Sequence, residues 1–213
     1  MATAEGSRRR TRRLDGELSR TKILDAATEI AAERGYEGTS IGAVSAKCGL
    51  PASSIYWHFK DKDDLIAAVI ERSFNSWLNV WQLPDDLVAL DRLVDAATGT
   101  AKALMESPDF LRLGLMLALE RRPVEPRARA MFVEVRDQAF DALTRSLEGM
   151  AAGLTGAQIR QLATYAIAGA DGLFIAKEIG GDSVDLGAMF EIHGRALHAT
   201  AIRMLEENEA RSH

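Results

Sequence analysis

Apolar residues recur at helical spacing along nearly the whole chain. Ile23, Ala27, Ile30 and Ala31 form the stripe of a first helix over residues 19–34, with Gly35 as its stop. Tyr36-Glu37-Gly38 is a turn, and Thr39 or Ser40 caps a short second helix over 41–47 with Ile41 and Val44 inward. Gly49 supplies a tight turn, and Pro51 suits the start of a third helix. On that helix Ile55 and Phe59 stand four apart and share one face. Three helices with a glycine turn before the third make a helix-turn-helix layout.

Asp61, supported by Asp64, caps a long fourth helix to about residue 82, striped by Ile66, Ile70, Phe74, Trp77 and Trp81. Leu87, Leu90, Val94, Ala97, Ala101 and Leu104 mark a fifth. Ser107-Pro108 opens a sixth over 109–120, so apolar that burial all round is predicted. A seventh covers 126–150, and Thr155 with Gln158 forms a capping box for an eighth. Ile159, Leu162, Ala166, Gly169, Leu173 and Ala176 give the eighth helix a heptad-like seam. Yet Tyr165, Ile167 and Phe174 lie on its other faces, and the ninth helix is apolar on two sides through Leu197 and Ile192. Helices with two apolar faces need two partners, a body and a second copy of the chain, the alternative being the centre of a monomeric bundle.

The pattern therefore predicts an all-α chain of about nine helices. It divides into a flexible basic arm over 1–18, a helix-turn-helix unit over 19–64, and a C-terminal helical bundle over 65–213 whose two-faced last helices suit dimerisation. A hydrophobic fraction of 47% in 213 residues suffices for a core, and no run is long enough to span a membrane. The net charge of −5 argues against a nucleic-acid partner until its distribution is considered. Residues 1–60 carry +3 and the remainder −8, a basic end on an acidic body. Arg8-Arg9-Arg10-Thr11-Arg12-Arg13 concentrates the basic charge, either as a contact to phosphate or the minor groove or as an inert tail. The single Cys48 excludes an internal disulfide and fits a reducing, cytoplasmic setting.

Catalysis finds no support. His58, His193, His198 and His213 show no metal-ligand spacing, no phosphate loop or nucleophile elbow occurs, and no cofactor is implied. The third helix offers something else. With Ile55 and Phe59 inward, Ser53, Tyr56, Trp57 and Lys60 face outward, a set suited to the major groove of DNA.

These residues resemble the DNA-binding unit of the TetR family of bacterial transcriptional regulators. The resemblance rests on Ile23-Leu24-Asp25-Ala26-Ala27, Gly35-Tyr36-Glu37-Gly38-Thr39-Ser40, Val44-Ser45-Ala46-Lys47-Cys48-Gly49 and Ile55-Tyr56-Trp57-His58-Phe59-Lys60-Asp61-Lys62. Further along, Ala170-Asp171-Gly172-Leu173 is similar to a segment of the family's eighth helix. The resemblance implies that Ser40 contacts phosphate, that Ala52, Ser53 and Ser54 read base edges, and that Tyr56, Trp57, His58 and Lys62 clamp the backbone. Gly42 stands where the family often has a longer polar side chain. The resemblance further implies a homodimer on a palindromic double-stranded operator, its recognition helices about 34–36 Å apart. A small-molecule effector would release the repressor; control by a protein partner, or activation, is the alternative.

Candidates for an effector site are Trp77, Trp81, Met105, Phe110, Met116, Phe132, Phe140, Tyr165, Phe174 and His193, on helices able to surround a cavity. Their character favours a hydrophobic ligand, and ordinary core packing explains most of them equally well.

Overall fold

The computed structural model describes residues 2–80, 90–120, 126–150 and 153–211, with side chains described from Asp15 onward except at 78–80 and 150. Within these residues the chain forms nine α-helices and no strand. They are α1 (Ala2–Gly38), α2 (Ile41–Cys48), α3 (Ala52–His58), α4 (Lys62–Val80), α5 (Leu90–Glu106), α6 (Pro108–Leu119), α7 (Arg127–Met150), α8 (Gly156–Gly180) and α9 (Leu186–Arg211). Trp81 lies outside the described residues.

The chain packs as two compact units, Met1–Ser73 with Asp109–Val133, and Phe74–Pro108 with Glu134–His213. The two units part within α4, after Ser73. Leu65, Ile66, Val69 and Ile70 are fully buried and extend the first unit's core along α4. A helix of 19 residues spans roughly 28 Å and can serve two units without a break.

In the first unit α1 packs on α2 and α3, and α2 on α3. Ile23, Ala27, Ile30, Val44 and Ile55 are buried, as the stripe predicts. The regular part of α1 ends at Gly35, whose φ of 67° and ψ of −173° suit glycine. Thr39, itself buried, donates its Oγ1 proton to the Gly35 carbonyl at 2.8 Å and ties the turn. At its other end α1 starts at Ala2, well before the residue 19 inferred from sequence. A helix needs only its own backbone bonds, and arginine and alanine are strong helix formers, so clustered charge does not forbid it.

Helix α6 departs from burial all round. Phe110, Leu111, Leu113 and Leu117 are buried, but Met116 and Leu119 reach the surface. Arg112 turns back to Asp109 at 3.2 Å. Gly114 is required where it stands, because a Cβ there would lie 2.0 Å from the Phe132 ring.

In the second unit α9 packs on α5 and α8. Leu93, Ala96, Leu143, Leu147, Ile159, Leu162, Ala163, Leu197 and Ala201 form its core. The capping box opening α8 is formed, Thr155 Oγ1 accepting the Gln158 N–H and Gln158 accepting the Thr155 N–H. Arg136 of α7 grips Asp171 of α8 through two bonds of 2.9 and 2.6 Å.

Candidate nucleic-acid interface

The corner between α2 and α3 is fixed by local chemistry. Ser40 caps α2, its Oγ accepting the Ala43 N–H at 3.1 Å. Gly49 ends α2 in the left-handed region at φ 70° and donates its N–H to Ser45 O. Ser45 Oγ donates to Leu50 O at 2.7 Å, closing the turn from within. Pro51 then opens α3 in extended conformation, as a residue preceding a helix must.

Seven residues cannot hold a helix on their own. Ile55 at 0% and Phe59 at 3% exposure anchor α3 and the residue after it. Those anchors turn the other positions outward: Ser53 is exposed, Tyr56 is 56% exposed and Trp57 is 76% exposed. Ala52, Ser54 and His58 are half-buried and Lys60 is exposed. An indole and a phenol left this open are uncommon without a partner, since their burial would otherwise be favourable.

Trp57 stands edge-on to His58 with ring centroids 4.6 Å apart. On its other side it lies beside Gly16 of α1, where a Cβ would come within 3.7 Å of the indole. Arg20 of α1 sits over the Phe59 ring at 5.5 Å. Burial, and then the charge of Arg20, hold the His58 imidazole below its usual range, so it is biased to the neutral form.

Ser40 is exposed, and with its oxygen accepting from Ala43 its hydroxyl proton faces outward beside the α2 N-terminus. Lys62 is placed differently from the rest. Its Nζ donates to Tyr36 O at 3.3 Å and Glu37 Oε2 at 3.4 Å, and lies 4.2 Å from the Tyr36 ring centroid. The ammonium braces the turn after α1. Gly16, Arg20 and Asp63 carry no mark of these contacts in the sequence, and Tyr36 is legible there only as part of a turn and of the family motif. Gly16 falls in the stretch expected to be a flexible arm, so nothing in the sequence marks it as a close approach.

The effector candidates divide between the two units. Phe110, Met116 and Phe132 belong to the first unit, and Trp77, Met105, Phe140, Tyr165, Phe174 and His193 to the second. Phe110 and Phe132 are buried against each other at 5.6 Å between centroids. Trp77 stacks on Phe74 at 5.8 Å, Phe174 is buried, and Phe140 is half-buried beneath Arg160. Met105, Met116 and Tyr165 are exposed, on the faces opposite their helices' buried stripes. His193 packs on Gly169 and shares a hydrogen bond of 3.0 Å with Ala166 O, which gives it a structural role between α8 and α9. Shallow grooves lie beside Tyr165, one along Arg160, Gln161, Thr164 and Ala168 and one along Leu162, Thr200 and Met204. Among the described residues no group of His, Cys, Asp and Glu could hold a metal, and no helix is long and apolar enough to cross a membrane.

Residues 23–69 match the family model of bacterial regulatory proteins of the tetR family. The chain is 37% identical over 59 residues to the HTH-type transcriptional regulator AcrR of Shigella flexneri, covering 28% of this chain and 27% of that one. It is 29% identical over 73 residues to the biofilm operon icaADBC negative regulator IcaR of Staphylococcus epidermidis, covering 34% and 40%. The matched stretch thus spans less than half the length of these relatives. Over the longer range the likeness is one of fold. The fatty acid degradation regulator FadR of Bacillus halodurans superposes with a TM-score of 0.68 at 17% identity, over 84% of this chain and 93% of that one. FadR of Bacillus subtilis in complex with stearoyl-CoA gives 0.67 at 19%, over 84% and 98%. The complex of SmeT with triclosan gives 0.67 at 20%, over 85% and 90%.

Proposed function

We propose, from the premise that residues 23–69 are the DNA-binding unit of the tetR family, that this chain is a DNA-binding transcriptional regulator. It acts as a repressor that binds a palindromic operator as a homodimer. The observation that carries this reading is the open surface of α3, where Ser53, Tyr56 and Trp57 stand out from a helix fixed by Ile55 and Phe59. Ser53 and Ser54 with Ala52 face base edges; Ser40, Tyr56, Trp57, His58 and Lys60 hold the phosphates; Lys62 steadies the turn beside them. The arginines at 8–13 add a salt-dependent contact to the backbone.

The dimer is supported by the apolar groups left open on α8 and α9: Tyr165, Ile175 and Ile179 on the first, Ile192 and Ile202 on the second. A two-fold contact would bury them against their own copies. A hydrophobic effector is supported by the stearoyl-CoA and triclosan named with two proteins of like fold. The filled contact of Phe132 over Gly114 favours the alternative, a regulator without a small ligand, for that part of the first unit.

Selection of duplexes from a random library, followed by gel-shift titration of the recovered sequence, tests the DNA-binding reading; recovery of no palindrome overturns it. Sedimentation of Ile192→Asp tests the dimer, which should dissociate. A thermal-shift screen of acyl-CoAs and hydrophobic aromatics tests the effector, since a ligand of the folded state raises Tm.

A further inference from the structure

Helix α7 begins directly after Pro126, a residue with no side-chain oxygen to cap it. Its cap comes from another helix. Asp63, in the first turn of α4, accepts the Arg127 N–H at 2.6 Å through Oδ2 and the Ala128 N–H at 3.1 Å through Oδ1. Both donors belong to the first turn, where no intrahelical acceptor exists, and a carboxylate there is favoured by the helix dipole. The same Oδ1 accepts the Tyr36 hydroxyl at 3.2 Å. Tyr36 in turn carries Lys62 on its ring and carbonyl, four residues ahead of Ser40.

Asp64 repeats the arrangement. Its Oδ2 accepts the Lys60 N–H at 3.1 Å, and its Oδ1 pairs with the Arg127 guanidinium. Two neighbouring carboxylates therefore join the start of α7, the turn that leads into α2, and Lys60, two residues past the end of α3. A cap for α7 alone would require neither Tyr36 nor Lys60.

We propose that Asp63 is a positioning residue for DNA binding: by holding Tyr36 and the α7 N-terminus on one carboxylate, it fixes the α1–α2 turn so that Ser40 and the α2 N-terminus meet phosphate. The proposal rests on the DNA-binding reading above. It gives the segment Asp109–Val133 a direct hold on the reading surface through the first turn of α7.

The test uses the full chain and a duplex that the parent protein selects from a random library. Asp63→Ala should lower both Tm and affinity, the latter by about tenfold, the scale of a lost charge-assisted hydrogen bond. Pro126→Ser, added to Asp63→Ala, supplies α7 with a cap of its own and should restore Tm while affinity stays low. Recovery of both together reduces Asp63 to a cap and overturns the proposal. If the double variant still melts low, Tyr36→Phe decides, since it deletes only the hydroxyl that donates to Asp63. Weaker binding supports the link, and parental affinity refutes it. A parent that selects no duplex would instead overturn the DNA-binding reading, a result visible before any variant is made.

Discussion

Gly114→Ala offers the sharpest test of how α6 and α7 meet. An alanine methyl would stand 2.0 Å from Phe132 Cε2, 2.1 Å from Cδ2 and 2.6 Å from Cζ. Carbon atoms in contact prefer about 3.5–4.0 Å, so the ring would have to retreat by roughly 1.5 Å. Phe132 is 1% exposed and faces Phe110, so there is no open space behind it. Overpacking of this kind costs about 1–3 kcal/mol or more, and the severity of this overlap places it at the upper end. For a chain of this length about 3 kcal/mol corresponds to a fall in Tm of roughly 6–12 °C. Phe132→Ala alone should cost about 3–5 kcal/mol by leaving a cavity. In that background the sign should reverse. The new methyl enters emptied space, and alanine exceeds glycine in helix propensity by about 1 kcal/mol. Urea melts of the parent, the two single variants and the double variant measure the cycle. Equal destabilisation by Gly114→Ala in both backgrounds would show that the ring is not the obstacle, and would reopen Phe132 as a ligand contact.

Trp57→Ala should leave the urea midpoint nearly unchanged, because the indole is largely exposed, yet weaken binding to the selected duplex by about tenfold, the scale of a stacking or hydrogen-bonded anchor. Loss of stability with unchanged affinity would move Trp57 from the interface to the fold. His58, held below its ordinary value of 6.5 mainly by burial, should titrate beneath that value in NMR spectra of the free protein. The depressed value means the unfolded chain takes up the proton first. The stability contribution is therefore complete above pH 6.5 and is lost as pH falls through the folded midpoint. Duplex DNA should raise that midpoint, since phosphate favours the charged ring; an unmoved midpoint would take His58 out of the contact. Gly49→Ala should cost about 1–2 kcal/mol through its left-handed backbone, read as a lower Tm.

Residues 35–64 were legible because their chemistry is local. Ser40, Gly49, Pro51 and Asp61 each act within four residues of their position, so spacing alone announces them. The buried stripe of Ile23, Ile30, Val44, Ile55 and Ile66 was equally visible as periodicity. What stayed hidden is non-local. Nothing near Pro126 reveals that its helix is capped from residue 63, and nothing in Lys62 distinguishes a lysine aimed at phosphate from one resting on Tyr36. Met105, Met116 and Tyr165 have the character of pocket lining, and only the structure places them on the exposed faces of α5, α6 and α8.

The shortness of α3 has a consequence for how such a protein diversifies. Within it a single residue, Ile55, is buried, and the next anchor, Phe59, already lies beyond its end. Positions 53, 54, 56 and 57 can therefore exchange their side chains without disturbing the scaffold that presents them. On the proposed reading, recognition and folding are written in separate letters, so a library randomised at those four positions should yield altered operators far more often than unfolded protein.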